Sequence, residues 1–149
     1  MLYHLGELAV QARAGVQADA DRLGKNIGSM IKPTAQEFLR HQRLAIACTV
    51  ETSGLVWASL LTGEPGFVQV VDEQTVWVNT TRINNDPLSE NLLTTDEIGL
   101  LVIDLATRRR LRVNGKAKVQ PHGIYVHTKQ VYFNCPKYIQ VRHLETEST

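Results

Sequence analysis

The sequence predicts a mainly-β fold, a small barrel with peripheral helices. Two observations carry that prediction. From Leu44 onward, six or seven short apolar or β-branched segments follow one another, separated mainly by turn-sized clusters of Gly, Pro, Asp and Asn. Helical periodicity is confined to the start of the chain and to a short stretch between the fourth and fifth of these segments.

At 149 residues the chain is expected to form one domain, 1–149, large enough to bury a proper core. Helices would occupy 1–42, the barrel 43–143 and a polar tail 144–149. Hydrophobic content of 43% and charged content of 21% are those of an ordinary soluble globular protein. A net charge of +1 argues against bulk attraction to nucleic acid, and 6% aromatics offer no stacking platform for it. No apolar run approaches a membrane span, and His4 and Glu7 stand where a signal peptide would need a basic flank and an apolar stretch. The expectation is a cytoplasmic protein without a membrane partner. Cys48 and Cys135, far apart and without a Cys-x-x-Cys pair, suit free thiols.

Taken in order, Leu5, Leu8, Ala9, Ala12, Val16, Ala20 and Leu23 recur at helical spacing and predict one amphipathic helix over about 5–23. Gly24 to Ser29 is a linker; it lacks the Gly-x-x-x-x-Gly-Lys-Ser/Thr of a phosphate loop. Thr34-Ala-Gln-Glu37 has the form of a capping box and predicts a short helix over about 35–42. Leu44–Val50, without polar alternation, predicts a strand buried on both faces, with Cys48 a small core residue. Leu55–Thr62 is a second strand, and Phe67–Val71 and Thr75–Thr80 form a hairpin across Asp72-Glu-Gln74. Asp86-Pro87 is a helix start, with Asp86 capping and Pro87 at the first helical position. Ile98–Leu105 is a central strand, Ile124–Val131 a long one after the turn at Pro121-His-Gly123, and Ile139–His143 a candidate last one.

Between these lies Arg108-Arg-Arg-Leu-Arg-Val-Asn-Gly-Lys-Ala-Lys-Val-Gln120. As a strand it presents Leu111, Val113, Gly115, Ala117 and Val119 on one face and Arg110, Arg112, Asn114, Lys116 and Lys118 on the other. Four cations on one face are either a solvated outer surface or a site for an anion such as phosphate, which the arginine fork fits bidentately. Hydrolytic constellations are missing: there is no Gly-x-Ser-x-Gly and no His-Glu-x-x-His. The five histidines have no metal-ligand spacing with one another or with the cysteines, so no metal is expected.

Several pieces in order carry a resemblance: Asp86-Pro-Leu-Ser-Glu-Asn-Leu92, Gly99-Leu-Leu-Val-Ile-Asp104 and Arg109-Arg-Leu-Arg-Val-Asn-Gly-Lys-Ala117. Together they resemble the pyridoxamine 5'-phosphate oxidase-like family of FMN-binding split β-barrels. Leu5-Gly-Glu7, Val10-Gln11, Ala14-Gly15 and Asn134-Cys-Pro-Lys-Tyr-Ile-Gln140 resemble its flavin-nucleotide-binding subgroup. The resemblance implies a homodimer holding FMN in clefts at the subunit interface. It implies flavin-ring contacts from the second strand (Trp57, Ala58, Ser59, Leu60, Leu61) and phosphate contacts from Thr80, Thr81 and Arg82. It also places Arg110 and Arg112 beside the cofactor, with Asn134 and Lys137 in the cleft. Judged alone, Ser59 and Thr80 could equally fill a strand, and Trp57 and Trp77 suit core or dimer packing.

The activity implied is that of an FMN-dependent oxidoreductase of unknown substrate, with a nicotinamide or a protein as electron donor. The cofactor performs the transfer itself, so no acid–base pair need stand out. Vitamin B6 oxidation is not expected, because the arginine- and tryptophan-bearing final segment of the true oxidases has no counterpart after Trp77. The alternatives are a non-catalytic flavin carrier or sensor, and a split barrel that takes haem or another anionic ligand.

Overall fold

The computed structural model describes residues 2–80 and 85–145. Its elements are α1 (Leu5–Ala14), α2 (Gln17–Gly24), α3 (Pro33–Arg40), β1 (Leu44–Val50), β2 (Val56–Thr62), β3 (Val68–Asp72), β4 (Thr75–Asn79), α4 (Leu88–Thr94), β5 (Glu97–Asp104), β6 (Arg109–Gln120) and β7 (Gly123–Phe133). All seven strands belong to one antiparallel sheet in the order β2-β1-β5-β6-β7-β4-β3.

The length of β6 and β7 shapes this sheet. The first part of β6, Arg109 to Lys116, pairs with β5, while Leu111 to Gln120 pair with β7, whose start also pairs with β4. A register shift between Asn114 and Gly115 bends the long ribbon, and a Cβ on Gly115 would overlap the His127 carbonyl. The sheet therefore wraps around one core as a split barrel. Ala45, Ala47, Leu61, Val76, Leu100, Val102, Leu111, Val113 and Val126 line its inside. Phe38 and Leu39 of α3 and Leu88 and Leu92 of α4 fill its ends.

The face of β6 that carries Leu111, Val113, Gly115 and Ala117 is buried, as its alternation requires. Elsewhere local detail departs from expectation. The long N-terminal helix is two helices, because Gly15 adopts the left-handed conformation (φ 69°) and its N–H closes α1 on the Ala12 and Gln11 carbonyls. The Thr34 capping box does not form: Pro33 takes the first turn after Lys32, and no side chain caps the helix. β1 is buried on one face only; Cys48 and Val50 are exposed, so Cys48 is not a core residue. Asp86 accepts the Leu88 N–H at 2.9 Å, the bond expected of a capping aspartate, but α4 begins one residue later than expected, after Pro87. Residues 139–143 form no strand, and the sheet ends at Phe133.

Candidate functional site

Two clefts meet at Thr80. The larger, about 480 Å³, is lined by Leu60 to Thr62 of β2, by the Gly63-Glu-Pro-Gly66 loop with Phe67, and by Asn79 and Thr80 after β4. The second, about 250 Å³, lies between Asp86, α4 and the β6–β7 turn, again with Thr80 on its wall. Thr80 is fixed there because its N–H donates to the His122 carbonyl at 3.2 Å. Thr81 and Arg82, the next residues of the expected phosphate segment, lie outside the described residues.

The five residues on β2 divide by face. Leu61 is buried in the core. Ser59 is also buried, and its hydroxyl donates to Asp86 Oδ1 at 2.7 Å, which ties β2 to the start of α4. Ala58 and Leu60 point outward, Leu60 with 58% of its surface exposed. Trp57, near the hairpin end, donates its indole N–H to Glu51 at 3.0 Å. That hydrogen bond and one from Ser53 hold the Glu51 carboxyl below its ordinary range, the serine contributing more.

The register assembles a second surface on the outer face of the sheet. One row across the strands reads Leu60, Ile46, Leu101, Arg112, Tyr132, and the next Ala58, Cys48, Gly99, Asn114, Gln130. The β2, β1 and β5 half is apolar or small, and the β6–β7 half is polar, with Asn114 donating to Gln130 at 3.0 Å. Arg112 is half-buried in this face, and no described residue forms an ion pair with it. Three strand spacings, about 14 Å, separate it from Leu60 along the sheet.

Arg110, on the same face of β6, is already engaged. Its guanidinium donates twice to the Cys135 carbonyl, at 3.1 and 2.8 Å, and the Asn134 N–H returns to the Arg110 carbonyl. Asn134 Oδ1 is buried without a hydrogen-bond partner. Lys137 is exposed, its ammonium 5.9 Å from the Tyr138 ring centre. Within one chain, then, Leu60, Leu61 and Thr80 share a cleft, whereas Arg110, Arg112 and Asn134 gather on the far half of the outer face.

The sequence reading missed Asp86 as the anchor of Ser59, the loop that completes the larger cleft, and Tyr132 and Gln130 beside the basic strand. The loop carried a signal, two glycines and a proline following β2. The cross-strand neighbours carried none, since register depends on the bulge.

A family model described as pyridoxamine 5'-phosphate oxidase matches residues 31–129. HupZ of Group A Streptococcus superposes with a TM-score of 0.56 at 17% identity, over 70% of this chain and 94% of that one. A Lactobacillus delbrueckii protein described as a candidate pyridoxamine 5'-phosphate oxidase gives 0.54 at 16% identity, over 70% and 94%. The conserved hypothetical protein Rv2991 of Mycobacterium tuberculosis gives 0.52 at 12% identity, over 81% and 96%. No curated protein matches by sequence. At these identities the solved structures speak for the fold; the matched model, which spans most of the sheet from β1 into β7, speaks for descent. The chain belongs to the pyridoxamine 5'-phosphate oxidase family, and its sheet is a split β-barrel.

Proposed function

We propose that this chain is an FMN-dependent oxidoreductase that works as a homodimer, with one cofactor cleft at each end of the subunit interface. The observation that carries the reading is Arg112: a half-buried cation without a described counter-charge, in a sheet face whose other half is apolar. About 14 Å separates it from the Leu60 end of that face, too far to serve the adjacent cleft directly. A two-fold partner laid on this face would bring Arg112 from one protomer toward the Leu60–Thr80 cleft of the other, because such an interface is self-complementary.

The residues fit an anionic, planar cofactor in that arrangement. The Thr80–Arg82 segment would take the phosphate, the exposed edge of β2 would lie along the ring, and the partner subunit's Arg112 would supply charge. Arg110 serves instead to hold the Cys135 carbonyl, and Ser59 to hold Asp86. Bound flavin supplies the hydride or electron transfer. The chain's part is to bind it, orient it, and exclude water with the apolar half of the face.

The test is an absorption spectrum of the purified protein followed by titration with FMN and addition of NADH or NADPH. Flavin bands, or saturation near one FMN per protomer, with reduction by a nicotinamide is the expected result. Flavin that binds but resists both donors would favour the carrier or sensor. A colourless protein that ignores FMN would overturn the cofactor assignment.

A further inference from the structure

The N-terminal helical hairpin is held in an unusual way. No residue of α1 is fully buried, so its caps matter more to these ten residues than they would to a helix packed in a core. Its first turn is capped by His4. The Nδ1 atom of His4 accepts the Gly6 and Glu7 N–H groups at 3.1 and 3.2 Å, while Glu7 returns to the His4 N–H at 2.9 Å. The ring lies so close over the helix start that a Cβ on Gly6 would stand 3.0 Å from His4 Cε1. The residues just before are clasped to the other helix: the Tyr3 hydroxyl donates to the Ala20 carbonyl at 2.8 Å, and Leu2 and Tyr3 fill the space beside Gly24, where a Cβ would clash.

We propose that His4 is a proton-operated latch on this hairpin. An acceptor at Nδ1 exists only in the neutral imidazole with its proton on Nε2. Protonation turns Nδ1 into a donor aimed at two N–H donors and sets a positive charge against the positive end of the helix. Among the described residues, the charged group that meets the ring is Glu7, with Oε2 3.7 Å from Nε2. That contact is long and solvent-exposed, so it offsets little of the loss of two cap bonds. The cap is therefore present in the neutral form and lost on protonation. The start of α1 then frays, and the clasp of Leu2 and Tyr3 on Gly24 loosens with it.

Amide exchange measured by mass spectrometry on the full chain, corrected for intrinsic rates, tests this between about pH 8 and pH 5. Protection at Gly6, Glu7 and Leu8 should fall several-fold in the wild type. It should persist at both pH values in His4→Asn, which retains an acceptor without an imidazole, and be low at both in His4→Ala. Glu7→Gln, which keeps the reciprocal bond without a carboxylate, should respond as the wild type does. Protection independent of pH in the wild type would overturn the latch. So would an equal loss in His4→Asn, or a response abolished in Glu7→Gln.

Discussion

Arg110 and Arg112 stand two residues apart on one face of one strand, and the structure gives them different work. Arg110 chelates the Cys135 carbonyl and so pins the segment after β7 to the start of β6. Arg112 holds no carboxylate among the described residues. Charge-assisted bonds contribute about 1.5–3 kcal/mol each, so Arg112→Ala should weaken FMN binding by about tenfold to a hundredfold on fluorescence titration. Arg110→Ala should instead raise amide exchange over residues 135–142 and change affinity less. An unaltered FMN affinity in Arg112→Ala would remove that residue from the site. Nothing in the linear pattern distinguishes these two arginines, since alternation assigns a face and not a partner. Ser59 is a similar case: whether its hydroxyl meets a ligand or Asp86, 27 positions away, is decided by tertiary packing.

At the scale of elements, the β1–β2 hairpin carries a titration with a definite sign. Ser53 and Trp57 hydrogen-bond the Glu51 carboxylate and depress its pKa. A depressed carboxyl contributes stability that is complete above its unfolded pKa and is lost as pH falls through the lower, folded value. Trp57 reports on the event, since its indole N–H is the donor. In a Trp77→Phe background, Trp57 emission should change with an apparent pKa below about 4.3, the ordinary glutamate value, and Glu51→Gln should abolish the change. A midpoint at or above that value would contradict the depression. Hairpins of this kind were legible because period-two patterning and turn residues are local signals: β2 to β7 begin and end within a few residues of where the sequence puts them. The failures are also physical. β1 reads as doubly buried because its outer face, Ile46, Cys48 and Val50, is apolar, yet among the described residues the Cys48–Val50 end stays exposed. Ile139–His143 has strand-like composition but joins neither edge strand, β2 or β3, and β7 ends in the segment that Arg110 holds. Thr34 lost its cap because Pro33, one residue earlier, already suits the first helical turn.

The apolar outer face matters most at the scale of the whole molecule. Leu60 and Val56 are 58% and 69% exposed on the outer face of β2, and Ile46 and Leu101 continue the Leu60 row toward Arg112. A contiguous apolar patch with a polar margin is the usual mark of a surface that another protein covers. On a C2 axis the same patch would serve both copies, and the small side chains of Ala58, Cys48 and Gly99 would let the two sheets approach closely. Light scattering should therefore report about 33 kDa, twice the 16.7 kDa of one chain. Leu60→Asp places a charge on the outer face and leaves the core side of β2 untouched, so the variant should keep the far-ultraviolet spectrum of the barrel while scattering as a monomer. It should also lose FMN, because each cleft would then lack the arginine from the other protomer. A monomeric Leu60→Asp that retained full FMN affinity would separate the two ideas: the face would still be the dimer contact, but Thr80 and its neighbours would bind the cofactor within one chain.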